Sequence, residues 1–216
     1  PDPTVKRQSG FLKPSLNNSN VLGSSLNLPY YHVISQNKDF TFRPTIFDSD
    51  ITMFQNEFRV ENMNSSAIVD FAYVDGYQSS LSNKKNSLSH IFAKFDLNLA
   101  WENFNQSDLF VSLKKVSNDT YLKIFDGNIF KNNTTPKDYD VLNSEAKLIA
   151  NNNDFNFITG FQSFEDLNKP SSDRFQFILP YYNFDKQLFS NFKNGSINFS
   201  SSGSNDLNNT NNLRTK

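Results

Sequence analysis

Asn20-Val-Leu-Gly-Ser-Ser-Leu-Asn-Leu-Pro29-Tyr30-Tyr31, then Lys38-Asp-Phe-Thr-Phe-Arg43-Pro44-Thr-Ile46, then Met53-Phe-Gln-Asn-Glu57-Phe-Arg59-Val-Glu61 are three successive runs that alternate apolar with polar residues. A period of two puts neighbouring side chains on opposite faces of a sheet. Runs of about ten such residues suit strands with one face toward lipid and the other toward water. The first two runs each contain a proline, Pro29 and Pro44. Proline has no N–H to give to a ladder, so it belongs at an edge or a weak seam. Together the runs read as the start of a membrane barrel with a weak seam.

Upstream, residues 1–18 are polar and irregular and read as a linker, with Lys6, Arg7 and Lys13 around Gly10-Phe11-Leu12. The first strand is expected over roughly 20–30, the second over 38–47 and the third over 51–62. Asp39, Thr41 and Arg43 oppose Phe40, Phe42, Pro44 and Ile46, and Gln55, Glu57 and Arg59 oppose Phe54 and Phe58. Further strands are expected at about 66–75, 88–101, 107–116, 140–150, 153–164, 174–182 and 195–202. In the fifth, Lys94, Asp96 and Asn98 oppose Phe95, Leu97, Leu99 and Trp101. The stretch 118–125 is a less regular block, and 132–140 reads as a loop. The fold class is therefore all-β: an antiparallel up-and-down meander of about ten strands with no persuasive helical period.

Composition bounds the function. The chain has 216 residues and a net charge of −1, which gives no electrostatic case for nucleic acid. It begins with Pro1 rather than Met and shows no signal peptide, so a piece of a longer precursor is expected. It has no cysteine, and no run approaches the roughly 18 apolar residues of a membrane helix. Mean hydropathy is −0.58 despite 23 phenylalanines. A barrel tolerates such an average because its lumen face and loops are wet.

Catalytic parts are missing from the pattern. The two histidines, His32 and His90, have no nucleophile-elbow or metal-ligand neighbours and read as surface or interface residues. No glycine loop cradles phosphate, no carboxylate pair is singled out, and neither a metal nor a cofactor is expected. The Asn-x-Ser/Thr triplets at Asn64 and Asn118 are ordinary in so Asn- and Ser-rich a chain. On alternation alone, a soluble sandwich whose aromatics point inward fits as well as a membrane barrel.

The order of motifs separates the two. Pro3-Thr-Val-Lys-Arg7-Gln-Ser-Gly-Phe-Leu12-Lys-Pro14-Ser15 resembles the basic "R-x-S-G-F-L-x-P" lead-in of the LptD family of outer-membrane lipopolysaccharide-assembly proteins. Leu28-Pro29-Tyr30-Tyr31 is similar to that family's "L/V-P-Y-Y" element, Asp39-Phe-Thr-Phe-Arg-Pro44 to its "D-x-T-x-T/R-P" strand, and Asn56-Glu57-Phe58-Arg59 to its "x-E-F/Y-R" strand. Lys115-Val116-Ser117-Asn118-Asp119-Thr120-Tyr121 resembles "V-S-D-D-T/S-Y/F". Arg174 to Pro180 resembles a later "R-x-x-x-x-x-P" strand, and Asn211-Asn212-Leu213-Arg214 the "T-x-T-x-R" strand after it.

The resemblance implies that residues 1–18 are a linker from a missing periplasmic jellyroll and that 19–216 are the N-terminal portion of a large barrel in the cell outer membrane. It implies transport of lipopolysaccharide rather than catalysis. It makes Pro29 and Pro44 a lateral gate. The face bearing Asp39, Arg43, Glu57, Arg59, Lys94 and Asp96 becomes a lumen-facing path for sugar and phosphate groups. Tyr30, Tyr31, Tyr73 and Trp101 become an interfacial aromatic girdle. Implied partners are lipopolysaccharide, outer-membrane lipid, an LptE-like plug lipoprotein and an LptA-like periplasmic bridge. Lys6 and Arg7 would meet lipid A phosphates or simply be solvated. The competing readings are a soluble all-β carbohydrate-binding or adhesion module and a general diffusion porin.

Overall fold

The computed structural model describes residues 7–79, 84–170, 173–191 and 195–208. The first strands are β1 (Gly10–Phe11), β2 (Ser15–Ser19), β3 (Gly23–Asn27), β4 (Tyr30–Ser35), β5 (Lys38–Phe47) and β6 (Thr52–Glu61). Then come β7 (Ser65–Gln78), β8 (Lys85–Asn98), β9 (Gln106–Val116), a one-turn helix α1 (Tyr121–Phe125), β10 (Val141–Asn151), β11 (Phe155–Asp166), β12 (Phe175–Asn191) and β13 (Gly195–Asn208). One sheet runs β1-β4-β5 and onward in sequence order to β13, with β2 beside β3 and β3 beside β5. This is the up-and-down meander that alternation predicts, and among the described residues no pairing joins β13 back to the first strands.

Two differences from the sequence reading lie at the start. The stretch expected as an irregular linker carries β1 and β2, which pair with β4 and β3. The expected single strand over 20–30 is instead a turn at residues 20–22 followed by β3 and β4, split at Leu28-Pro29. The cause is local. Pro29 cannot carry the ladder through, and Gly23 adopts φ +76°, which a turn exit needs and other residues resist. Lys6 and the Asn211–Arg214 motif lie outside the described residues.

The chain divides into two compact units. One holds the chain to Asn62, Ala67–Ala93 and Lys114–Tyr139; the other holds Met63–Ser66, Lys94–Leu113 and the chain from Asp140. In the first unit, β5 inverts the ordinary rule of burial. Asp39, Thr41, Arg43 and Thr45 are buried, while Phe40, Phe42 and Pro44 are half-buried on the other face and Ile46 is exposed. The next strand does the same: Gln55 and Glu57 are buried and Phe54 is exposed. Part of the polar face is covered by residues 121–132. Phe125 of α1 meets Phe47 edge-on at 6.3 Å and Tyr77 at 6.0 Å, and with Met53, Val74, Leu122 and Ile129 it makes a small apolar core beside the polar one.

In the second unit, β10 and β11 pair without interruption from Val141↔Asp166 to Asn151↔Asn156. Aromatic rings run across its ladders: Phe155 meets Phe184 at 5.3 Å and Phe104 at 5.9 Å, and Phe184 meets Phe199 at 5.9 Å. Phe161, Leu188, Ile197 and Phe199 are each at least half exposed. No helix among the described residues is long and apolar enough to cross a membrane.

Candidate functional site

Both gate prolines fall at one level of the sheet. Tyr30 pairs with Phe42 and Asn27 with Thr45, so the register sets Leu28 opposite Pro44 and Pro29 opposite Arg43. Leu28 N–H donates to the Pro44 carbonyl at 3.0 Å. In an antiparallel ladder such a pair exchanges two bonds, but Pro44 has no N–H to return. On the other side of the same arm, Leu12 N–H donates to the Pro29 carbonyl at 2.8 Å, and again proline returns nothing. One bond is thus subtracted from each seam of the β3–β4 arm: toward β5 by Pro44 and toward the β1–β2 arm by Pro29. Pro29 is itself buried.

Beside this level lies the polar face. Asp39 accepts from Arg59 Nε at 2.8 Å and is bridged by the Arg7 guanidinium, which also binds the Tyr31 hydroxyl. Arg59 reaches Glu57 Oε1 at 3.5 Å. Asn132 Nδ2 donates to Glu57 Oε2 at 2.6 Å and to Asp70 Oδ2 at 3.3 Å. Gln55 Nε2 donates to both Asp70 oxygens, at 3.0 and 2.9 Å, while its Oε1 accepts the Phe130 N–H at 2.8 Å. His90 stands between Asp70 (Nε2 to Oδ1, 3.3 Å) and the Tyr121 hydroxyl (Nδ1, 2.8 Å), stacked on Phe92 at 4.2 Å. The assignment that satisfies all three is Nε2–H donating to Asp70 and Tyr121 donating to Nδ1. Burial, with the Asp70 charge behind it, pushes the Tyr121 phenol up from its ordinary value, so it stays a donor.

These contacts correct one expectation. His90, read as a surface or interface residue, is 3% exposed. Tyr121 and Phe92 pack against it, and both ring nitrogens are engaged, which leaves none free to take a substrate proton. His32 is exposed as read. The arrangement holds the inward segment, residues 121–132, against the sheet, and every buried carboxylate named here has at least one donor, as burial demands.

The remaining sequence-predicted residues divide. Arg43 lies on the same covered face, its Cζ 3.6 Å from the centre of the Phe130 ring. Asp39, Arg43, Glu57 and Arg59 therefore share one face, but only Arg43 and Glu57 lie against Phe130 and Asn132, while Arg59 is exposed and pairs with Asp39. Lys94 and Asp96 belong to the second unit and pair with each other at 3.0 Å, with Lys94 also 5.4 Å from the Phe110 ring. Of the aromatics, Tyr30 packs edge-on against Phe11 at 5.1 Å. Tyr73 is 48% exposed on the outward face, and Trp101 is 43% exposed in the turn after β8. Tyr31 departs from the girdle: it pairs with buried Thr41, and its hydroxyl is taken by Arg7, so it belongs to the polar face. Sequence reasoning passed over Tyr121, Phe130 and Asn132. Tyr121, Leu122, Phe125 and Ile129 recur at helical spacing and were the available signal.

A scan of protein-family models finds no match. Curated proteins do match. The LPS-assembly protein LptD of Nitrosococcus oceani is 26% identical over 172 residues, 76% of this chain and 20% of that protein. That of Idiomarina loihiensis is 25% identical over 119 residues, 55% of this chain and 15% of its own. This chain is similar to LptD. The LptD of Pseudomonas aeruginosa is 37% identical over 70 residues, 32% of this chain and 8% of its own length. The LptD-like chain thus spans a fifth or less of each of these three relatives. An open antiparallel meander with polar residues on one face fits a piece of such a protein.

Proposed function

We propose that this LptD-like chain is part of an outer-membrane barrel that delivers lipopolysaccharide to the outer leaflet, with its first strands forming a lateral gate. The observation that carries the reading is the inverted pattern of β5 and β6, polar inside and apolar outside. A soluble sandwich buries its aromatics; an apolar side chain left in water forgoes roughly 1.5–3 kcal/mol, a loss that lipid removes. The gate reading rests on the two unreturned bonds at Pro29 and Pro44, which weaken both sides of one arm where a zipped barrel would be closed to lateral passage. Their loss favours this reading over a general porin. The β1–β2 arm covers the outer edge of the gate arm, held there in part by Arg7 on Asp39. Opening therefore includes release of that arm.

On this reading Asp39, Arg43, Glu57, Arg59, Lys94 and Asp96 form the polar wall past which glycan and phosphate groups travel, a passage that requires Phe130 and Asn132 to move off Arg43 and Glu57, and Tyr30, Tyr73 and Trp101 lie near the headgroups. The partners on this reading are lipopolysaccharide, outer-membrane lipid, an LptE-like plug lipoprotein and an LptA-like periplasmic bridge reached through a preceding jellyroll. No catalysis is involved.

The test is photo-crosslinking in cells, in the full-length protein, with a photoreactive residue replacing Leu28 beside Pro29 and, separately, Arg59. Adducts with lipopolysaccharide that require energy-driven transport are the expected result. Good expression with no adduct at either position would remove the gate from these strands.

A further inference from the structure

Arg43 stands out among the described cations of the first unit. It is 8% exposed, and its Nε is buried with no hydrogen-bond partner. One face of its guanidinium is stacked on Phe130. An arginine carries five donors and no acceptor, and a buried one without partners is costly unless something supplies them. The carboxylates of Glu57 and Asp70 act on it only through space. Both are already bonded elsewhere, Glu57 to Asn132 and Asp70 to Gln55 and His90.

Arg43 lines a cavity of about 180 Å³ with Ser25, Asn27, Thr45, Asn128 and, from the β1–β2 arm, Ser15 and Asn17. Among the described residues no carboxylate lines it. Its polar walls are internally held: Asn27 Nδ2 donates to Thr45 Oγ1 at 2.7 Å, Asn128 Nδ2 to Ser25 Oγ at 2.8 Å, and Asn17 Nδ2 to the Gly127 carbonyl at 2.9 Å. Neutral hydroxyls and amides around a guanidinium whose Nε has no partner make a site for an anion with several acceptor oxygens. The volume is about six times one water's share of the liquid, enough for a tetrahedral oxyanion and a few waters.

We propose that this cavity is a binding site for a phosphate-class oxyanion, with Arg43 as its charged ligand. The site sits where the β1–β2 arm, β3, β5 and the 127–130 stretch meet, one residue from Pro44. On the transport reading above, an anionic group held there bridges the gate arm and the inward segment. Occupancy then couples the two: the anion holds Ser15 and Asn17 of the edge arm against Arg43, and its departure frees that arm. The inference rests on that reading only for the source of the anion; the site itself stands on the buried arginine.

The test uses the full-length protein in detergent, with tungstate as an electron-dense probe read by cryo-electron microscopy. Density within hydrogen-bond reach of Arg43 is expected, absent from Arg43→Gln and weakened in Arg43→Lys. Binding of inorganic phosphate, followed by ³¹P line broadening, should fall roughly ten- to a hundredfold in Arg43→Gln. An empty wild-type cavity at saturating tungstate overturns the proposal without recourse to any variant, as does equal phosphate binding by wild type and a folded Arg43→Gln. Displacement of tungstate by micelles of diphosphorylated lipid A, but not by dephosphorylated lipid, assigns the site to an amphiphile's phosphate. Displacement by inorganic phosphate alone assigns it to a free ion, and displacement by neither overturns it. Crosslinks at Leu28 without tungstate density would sink this site and leave transport standing; density without crosslinks would do the reverse.

Discussion

Pro44 leaves Leu28 with a bond given and none returned, and a single substitution can restore the balance. Pro44→Ala supplies an N–H facing the Leu28 carbonyl, worth roughly 0.5–1.5 kcal/mol net. The expected outcome in the full-length protein is a higher temperature for loss of the folded band on semi-native gels, together with slower delivery of lipopolysaccharide to the surface. Unchanged stability would show that the missing bond does not limit the seam. Gln55 is the opposite kind of residue, since it joins the Asp70 carboxylate to the Phe130 backbone in one side chain. Gln55→Leu leaves a buried carboxylate and a backbone N–H short of partners. At roughly 1–3 kcal/mol for each orphaned group, the inward segment should lose about 3 kcal/mol or more. Amide hydrogen exchange across 117–140 should then accelerate while that of β10 and β11 stays as in the parent. Uniform acceleration of both would place Gln55 in global stability rather than in holding the segment.

Strong alternation made some strands legible from sequence alone. The bounds read for the second strand, 38–47, are those of β5, and those for the third differ from β6 by a residue at each end. Where a proline broke the period, legibility failed: 20–30 became two pieces, and residues 10–19 joined the sheet through short, polar stretches with little pattern to read. The candidate site was half legible for the same reason. Wall residues such as Asp39, Arg43, Glu57 and Arg59 follow the period of two. The segment over Arg43 and Glu57 depends on a tertiary choice, since α1 is one turn long and unstable by itself. Its far end is tied by Asp126, which accepts from Lys131 at 2.7 Å and from the Tyr139 hydroxyl. Lys131 first, and Tyr139 next, hold the Asp126 carboxyl below the usual carboxylate range. A lowered folded value adds stability above the ordinary value and loses it as pH falls through the folded one. The tie should therefore hold from neutral pH down and loosen below about pH 4. Asp126 is 48% exposed, so solvent screening keeps the effect small. A nitroxide at exposed Asn133 should gain mobility below that pH, and Asp126→Asn should be mobile throughout. Spectra independent of pH in both proteins would exclude the ion pair as the tie.

An open sheet with apolar residues outward has two separate reasons to associate, and they can be told apart. Among the described residues its β1–β2 arm and β13 are paired on one side only, and such margins template further strands. Its outward faces carry Phe54, Phe71, Ile91, Phe161 and Phe199, each more than a third exposed. Water satisfies an unpaired backbone group at small net cost, whereas each large apolar side chain in water forgoes roughly 1.5–3 kcal/mol, so the faces should dominate. Produced alone as its 216 residues, the chain should therefore aggregate in plain buffer. Detergent should reduce it to small oligomers, because micelles cover faces but do not pair edges. Light scattering after size exclusion, with and without detergent, separates the causes: large assemblies that persist in detergent would give the edges priority. A β-rich monomer in plain buffer would mean that the aromatics turn inward after all, and the lipid-facing assignment of β5 and β6 would fall with it.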